Sequence, residues 1–170
     1  MAEVARRAGG EVTTVEQTWG QPFSADDLRA GAGGNSFKLL CIVHAETSTG
    51  VLQDLAPARA VADECGALLL VDCVTSLGGH RVQLDEMGID AAYSGTQKCL
   101  SCPPGLSPIS FSPRASAVLA ERTTPVQSWY LDLSLISNYW GSDRAYHHTA
   151  PINMIYGLHE SLRLILAEGL

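Results

Sequence analysis

The sequence lacks the long apolar runs of membrane proteins and the basic excess of nucleic-acid-binding proteins. No stretch approaches the ~20 uninterrupted apolar residues of a membrane helix, and the first residues, MAEVARR, do not form a secretory signal. Eleven basic residues against eighteen acidic ones give a net charge of −7. This balance argues against nucleic acid or an anionic membrane surface as the main partner.

Charged residues are also scarce, at 17% of the chain, whereas 46% of the residues are hydrophobic. This composition excludes a disordered chain. A folded chain of 170 residues buries roughly 70% of its unfolded surface, so one substantial core is possible. We expect a soluble α/β protein.

The five cysteines are odd in number and lie mostly in apolar runs, which predicts reduced intracellular thiols. We therefore expect a cytoplasmic protein, and a peroxisomal or mitochondrial location stays open. Cys99 and Cys102 form a C-x-x-C pattern, but no second pair has the spacing of a zinc site. Residues 103–105, Pro-Pro-Gly, follow where a redox motif needs the start of a helix. We predict no metal site.

Two short apolar runs, residues 37–43 and 67–71, are typical of strands buried on both faces of a parallel sheet. Residues 54–64 between them have the composition of a helix, which predicts a right-handed crossover. Further strands are predicted at 91–94 and 106–112. The expected fold class is α/β, with a mostly parallel sheet flanked by helices in three α/β/α layers.

The remaining elements are predicted from caps and periodicity. Ser24 begins a capped helix, and Asp27 lies three positions on, where a capping box has Glu or Gln. Residues 31–36 are expected to form an exposed loop, and Gly169 is expected to cap the last helix. The other predictions are a helix within 1–10, a strand at 12–15, and helices at 115–121 and 152–167.

Polar residues follow three predicted strands: residues 46–50, Asp72 and residues 94–98. In open parallel sheets, ligands bind beyond the carboxyl ends of the strands. Asp72 is a site candidate, and the alternative is a carboxylate that caps the next turn through Thr75 or Ser76. Lys98 has no acidic neighbour between Asp90 and Glu121. It is either a solvated surface group or a lysine that loses its proton easily in a partly apolar pocket, as a Schiff-base lysine requires.

Two other patterns are weaker indications of function. Gly95 stands three positions before Lys98, so the acyl-transfer pattern S-x-x-K is not present. His147 and His148 are adjacent, and adjacent side chains diverge in regular structure. We therefore expect one structural and one exposed histidine rather than a ligand pair.

Several motifs, in order and at matching spacing, resemble the alanine–glyoxylate and serine–pyruvate (serine–glyoxylate) aminotransferases. These are class V pyridoxal-phosphate enzymes of fold type I. The motifs are TSTG (47–50), LLVDCVTSLGG (69–79), GIDAAYSGTQK (88–98), PPG (103–105), YHHTAP (146–151) and GLHESL (157–162).

The resemblance implies a pyridoxal 5'-phosphate site. Lys98 takes the position of the Schiff-base lysine and general base, and Asp72 that of the carboxylate paired with the pyridine nitrogen. Val74 is expected to pack on one face of the ring, and Gln97 to help hold the phosphate. Thr47 stands where the family usually has a serine that contacts the ring hydroxyl.

The resemblance also implies a homodimer with shared active sites. Tyr146 and Thr149 occupy positions that reach the partner subunit's phosphate. Residues 1–150 are expected to be part of the cofactor-binding large domain. Residues 151–170 are expected to be the connecting helix at the start of a small C-terminal domain.

Full family members are more than twice as long as this sequence, which corresponds to their central part. The resemblance places a glycine-rich phosphate loop, a ring-stacking aromatic and a substrate-binding arginine outside it. None of Trp19, Trp129 and Trp140 lies in the stacking motif.

Two functions are therefore expected. The first is transamination between a small amino acid, alanine or serine, and glyoxylate or pyruvate. The alternative is a catalytically inactive truncated fragment of such an enzyme. A lyase or a cysteine desulfurase is a weaker option, because a desulfurase needs an additional mobile cysteine.

Overall fold

The fold contains one four-stranded sheet in the part of the chain that the structure describes. The computed structural model describes residues 1–142 and 144–169. Three strands run parallel in spatial order and the fourth pairs antiparallel with the third. The strands are β1 (Leu39–Val43), β2 (Leu68–Asp72), β3 (Ala91–Tyr93) and β4 (Ile109–Phe111). The mostly parallel sheet with flanking helices confirms the predicted α/β class.

The described ranges also contain six α-helices and one 3-10 turn. The helices are α1 (Ala2–Arg7), α2 (Ala25–Ala32), α3 (Leu55–Glu64), α4 (Pro113–Ala120), α5 (Leu133–Trp140) and α6 (Ile152–Glu168). The 3-10 turn covers Trp129–Leu131. Over the described residues, no helix combines the length and the apolar content needed to cross a membrane.

The β1–α3–β2 unit forms the core for the reasons seen in the sequence. Asp54 caps α3 by accepting a hydrogen bond from the N–H of Ala56 at 3.0 Å. Ala58 and Val61 of α3 are buried together with Leu69 and Val71 of β2. Burial of a larger apolar side chain such as Leu69 or Val71 is worth about 1.5–3 kcal/mol, so this unit contributes to the stability of the core.

Helix α2 confirms its predicted cap and corrects its predicted end. The Ser24 side chain accepts from the N–H of Asp27, and the Asp27 carboxylate accepts from the N–H of Ser24 at 2.8 Å, so aspartate completes the capping box. The helix continues to Ala32, and Gly33 ends it with a φ of 58°. The loop predicted to begin at residue 31 therefore begins two residues later.

The strand predicted at residues 12–15 is wrong, because these residues form no ladder with another strand. Val15 instead packs against Gly31, where an added Cβ would collide with its side chain. The segment has no regular secondary structure and lies against α2 through Val15. Helix α5 has no counterpart among the sequence predictions.

Asp90, which directly precedes β3, stabilises the end of the sheet at which the parallel strands begin. Its Oδ2 accepts from the Leu69 N–H at 2.9 Å and from Arg59 of α3 at 2.9 Å. Burial alone would raise the pKa of Asp90, but these hydrogen bonds lower it below its usual value. The carboxylate therefore stabilises the fold above its unfolded-state pKa, and this contribution is lost as pH falls through the lowered folded-state pKa.

Asp90→Ala is expected to destabilise the fold by about 3 kcal/mol, because it removes one partner of a buried ion pair. The Asp90 side chain is 6% exposed and that of Arg59 is 16% exposed. Asp63→Ala is the matched control, since Asp63 also pairs with Arg59 but is 62% exposed. Its cost should stay below about 1 kcal/mol. Urea denaturation measures both, and equal losses would contradict the assignment.

Candidate active site

Three strand tips lie side by side at the carboxyl edge of the sheet. The N–H of His44, just after β1, donates to the carbonyl of Asp72 at 2.9 Å, and the N–H of Cys73 donates to the carbonyl of Tyr93 at 2.8 Å. The residues that follow these tips therefore share one edge, as the sequence predicts. We call the side chains of Thr47, Asp72, Thr75, Tyr93 and Lys98 the strand-tip cluster.

The Asp72 carboxylate is held by one donor on each oxygen. Oδ1 accepts from the backbone N–H of Val74 at 2.9 Å, and Oδ2 accepts from the Tyr93 hydroxyl at 2.6 Å. The capping alternative is thus replaced by a tighter turn, in which Val74 and neither Thr75 nor Ser76 is the donor. A carboxylate has about four lone-pair sites, so each oxygen keeps capacity for one more donor.

Tyr93 was not a site candidate from the sequence. It lies opposite Asp72 in the β2–β3 register, so the two side chains share one face of the sheet. Burial and the hydrogen bond to Asp72 raise the pKa of Tyr93. The phenol therefore stays protonated and donates. The alternation of β3 places Tyr93 on a defined face, but its pairing with Asp72 depends on a register that the sequence does not specify.

Two hydroxyl groups join the first and second strand tips. Thr47 Oγ1 and Thr75 Oγ1 are 2.5 Å apart. The carbonyl of Thr75 accepts from the thiol of Cys99 at 3.1 Å, next to Lys98. Thr75 therefore connects the turn that begins at Asp72 to both neighbouring tips.

Lys98 lies exposed on a turn closed by the bond from Ser101 N–H to its carbonyl, at 2.9 Å. Its charge reaches Glu46 at the tip of β1. Hydrogen bonds from Ser48 lower the pKa of Glu46, and the positive charge of Lys98 lowers it further. Lys98 thus acts electrostatically on a carboxylate that follows another strand. Gln97, also exposed, folds over Gly95, where an added Cβ would lie 2.8 Å from its Oε1.

The Lys98 turn can approach the Asp72 turn because two glycines face it. A Cβ on Gly79 would lie 2.9 Å from the Cβ of Cys99, and one on Gly78 would lie 3.0 Å from Leu100 Cδ2. Helix α6 holds the same turn from outside, where the Ser161 hydroxyl donates to the Leu100 carbonyl. The position of Lys98 thus depends on close backbone approach and on α6.

Gly79→Ala is expected to displace the Lys98 turn and to destabilise the fold by about 2 kcal/mol, because an added methyl group collides with Cys99. Gly157→Ala is the matched control, since nothing lies within 4 Å of a Cβ at this position in α6. It should be neutral or stabilise by up to about 1 kcal/mol. Denaturation midpoints of the two variants give the comparison, and equal effects would argue against close packing at Gly79.

A buried polar pair lies behind the cluster. His44 Nδ1 and Ser76 Oγ are 2.9 Å apart, and both residues are buried. Burial lowers the pKa of His44, and the nearby His80 lowers it further. The pair ties the end of β1 to the turn after Asp72, which gives that turn a rigid support.

Tyr146 and Thr149 lie close to each other on the surface. Their hydroxyl oxygens are 2.9 Å apart, and Tyr146 is 73% exposed. Within the described ranges, no hydrogen bond joins this pair to the strand-tip cluster.

The expected divergence of the two adjacent histidines is wrong. His147 is buried and its Nδ1 lies 2.8 Å from the Nδ1 of His148, so the two rings interact directly. Residues 144–150 are neither helix nor strand, and the rule for neighbouring side chains in regular structure does not apply. His147 also stacks on Trp129 at a centroid distance of 4.1 Å.

The cysteines are all free thiols, three of them buried and two, Cys41 and Cys99, exposed. Burial raises the pKa of Cys73, which makes that thiol unreactive. No group of three or more His, Cys, Asp or Glu side chains suited to a metal ion occurs in the part of the chain that the structure describes.

The family model described as aminotransferase class-V matches residues 1–170. The chain belongs to this family. This match confirms the resemblance stated from the motifs. Class V aminotransferases are pyridoxal-phosphate-dependent enzymes.

Relatives of this class V aminotransferase chain agree in sequence and in structure. It is 41% identical to alanine–glyoxylate aminotransferase of Oryctolagus cuniculus, over 99% of this chain and 44% of the relative. It is 38% identical to (S)-ureidoglycine–glyoxylate transaminase of Bacillus subtilis (strain 168), over 100% of this chain and 45% of the relative. The crystal structure of alanine–glyoxylate aminotransferase from Nostoc sp. matches with a TM-score of 0.94 and 50% identity, covering 99% and 45% of the two chains.

The chain therefore spans about 45% of the length of these relatives. The relatives are enzymes that transfer amino groups, as their names state. The match covers both the strand tips and α6, so the geometry described above lies within the shared fold.

Proposed function

We propose that this protein takes part in pyridoxal-phosphate-dependent transamination between a small amino acid, alanine or serine, and glyoxylate or pyruvate. The observation that carries the proposal is the Asp72 carboxylate, fixed by two donors at the same edge of the sheet as the Lys98 turn. A carboxylate and a primary amine at neighbouring strand tips are the two groups that this chemistry requires.

The residues at this edge fit the cofactor. Asp72 keeps free lone pairs for a protonated ring nitrogen, and Lys98 supplies an exposed amine. The Thr47 hydroxyl is exposed beside Thr75, and the amide of Gln97 is exposed next to Lys98. We infer that Val74, half-buried after Asp72, contacts the ring.

When bound, pyridoxal phosphate supplies a protonated ring that withdraws electrons from the α-carbon of the substrate. Asp72 keeps the proton on the ring nitrogen, because its negative charge favours the charged form. Lys98 Nζ would hold the cofactor covalently, and the same amine, when free, would take the proton from the α-carbon of the substrate. Thr47 would contact the ring hydroxyl, and Gln97 would help hold the phosphate.

The substrate class is supported by the relatives. Two relatives that share 38–41% identity over essentially the whole chain are named for glyoxylate as a substrate. Alanine and ureidoglycine are the amino donors in those names. Our proposal favours a small donor.

We further propose that the protein is a homodimer in which Tyr146 and Thr149 complete the partner's site. Their paired hydroxyl groups are exposed and can donate to a phosphate. Large apolar side chains near them in sequence, Trp129, Tyr130 and Trp140, are also exposed. Sedimentation analysis tests the dimer, and a monomer at micromolar concentration would contradict it. The cytoplasmic location and the division into 1–150 and 151–170 stay predictions.

The function is tested by mixing purified protein with pyridoxal phosphate, an amino donor and glyoxylate or pyruvate. The expected result is formation of the new amino acid and of the 2-oxo acid left by the donor. Alanine, serine and ureidoglycine are compared as donors in separate reactions. Absence of product with every donor, from a folded protein that binds the cofactor, would contradict the proposed activity.

The alternative is a catalytically inactive chain that associates with complete subunits. This chain corresponds to about 45% of the length of the matched enzymes. A folded chain that binds no cofactor would support this alternative.

A further inference from the structure

The Asp72 carboxylate accepts two hydrogen bonds of different length. The bond from the Tyr93 hydroxyl is 2.6 Å long, and the bond from the N–H of Val74 is 2.9 Å long. Both Asp72 and Tyr93 are half-buried, so the bond between them is partly shielded from water. A charged hydrogen bond of this length is stronger than a neutral one, particularly where water is partly excluded. The bond is therefore a fixed part of the site.

A backbone hydrogen bond joins Tyr93 to the turn after Asp72. Tyr93 ends β3, and its carbonyl accepts from the N–H of Cys73 at 2.8 Å. The carboxylate of Asp72 is thus clamped between its own turn, through Val74, and the neighbouring strand, through Tyr93. The two donors fix the plane of the carboxylate and leave one lone pair of each oxygen available.

We propose that Tyr93 is a positioning residue, whose hydroxyl holds Oδ2 of Asp72 so that the carboxylate is oriented for the ring nitrogen of the cofactor. This inference rests on the proposed function. Tyr93 acts through Asp72 and has no direct part in moving the amino group. Its removal must therefore matter only while the carboxylate is present.

The first test measures the affinity of the protein for pyridoxal phosphate by equilibrium dialysis. Tyr93→Phe keeps the ring and removes the hydroxyl, and we expect about tenfold weaker binding, which corresponds to about 1.4 kcal/mol. Tyr156→Phe is the matched control, because Tyr156 is exposed on α6 outside the strand-tip cluster. Its affinity should equal that of the wild type.

The second test repeats Tyr93→Phe in an Asp72→Asn background. If Tyr93 acts through Asp72, the double variant should bind no more than about twofold more weakly than Asp72→Asn alone. A merely structural tyrosine would lose the same factor in both backgrounds, and that result would overturn the proposal. Equal cofactor affinity of the wild type and Tyr93→Phe would overturn it as well.

The third test needs no cofactor. Alkaline titration of the protein gives an absorbance change as its tyrosines ionise. The part of this change that is present in the wild type and missing in Tyr93→Phe is the ionisation of Tyr93. The carboxylate raises the pKa of Tyr93 together with burial, so Asp72→Asn should move this ionisation to lower pH. An unchanged ionisation would show that the two groups are not coupled and would overturn the inference.

The proposed function and this inference fail in different ways. If the wild type binds no pyridoxal phosphate, the proposed function fails, and the alkaline titration alone decides whether Tyr93 holds Asp72. If the wild type and Tyr156→Phe bind the cofactor through Lys98 while Tyr93→Phe binds equally well, only the inference fails.

Discussion

Replacing Lys98 with alanine is expected to abolish covalent attachment of pyridoxal phosphate to the protein. The site offers one primary amine at the strand tips, and no other side chain there forms this type of bond. The measurement is borohydride reduction of the protein with bound cofactor, followed by mass spectrometry. We expect an adduct in the wild type and none in Lys98→Ala, a loss of at least about 100-fold in signal.

The chain provides a matched control because it has one other lysine, Lys38. Lys38 is also exposed, but it precedes β1 and so lies at the opposite end of the sheet. Lys38→Ala should retain the full adduct on Lys98. An adduct that persists in Lys98→Ala and disappears in Lys38→Ala would refute the assignment of the site.

Replacing Asp72 with asparagine is expected to slow transamination by on the order of 100-fold or more, while the Lys98 adduct still forms. Asparagine keeps the size of the side chain but removes the charge that keeps the ring nitrogen protonated. The rate falls because the ring then withdraws electrons less effectively. Single-turnover kinetics with the amino donor measure the rate, and reduction followed by mass spectrometry measures the adduct.

Asp26→Asn serves as the control for a general effect of a lost carboxylate. Asp26 lies in the first turn of α2, is 94% exposed and contacts Arg29 at 3.3 Å. This variant should retain the rate of the wild type. An unchanged rate in Asp72→Asn would remove Asp72 from the mechanism, whereas an equal loss in both variants would point to misfolding.

The core of the fold is predictable because its strands consist of unbroken apolar residues. β2 matches a run of leucine and valine, and α3 begins at an aspartate cap visible in the sequence. Helix α5 could have been found by the same reasoning. Asp132 accepts from the N–H of Ser134 at 2.9 Å, and Leu133, Ile136 and Trp140 have helical spacing after it.

Other features depend on contacts that a linear sequence does not contain. The antiparallel pairing of β4 with β3 depends on the path of residues 94–108 between them, and a short strand can pair in either orientation. Residues 12–15 alternate like a strand, but their Val15 packs against Gly31 instead of entering the sheet. Periodicity describes which side chains face the core and leaves open what pairs with the backbone.

The candidate site also combines residues that the sequence identifies with contacts that only the folded structure shows. Asp72 and Lys98 could be recognised from their places after predicted strands and from the motifs around them. Tyr93, Thr75 and the effect of Lys98 on Glu46 arise from the side-by-side arrangement of three strand tips. These contacts join residues far apart in the chain, so they require the register and the turns of the folded protein.

The central claim is that Lys98 and Asp72 hold one cofactor ring between them. The most direct test is a crystal structure of the protein with pyridoxal phosphate. We predict Lys98 Nζ bonded to the cofactor and an Asp72 oxygen within hydrogen-bond distance of the ring nitrogen. A ring bound at another lysine, or one whose nitrogen has no contact with Asp72, would contradict the account.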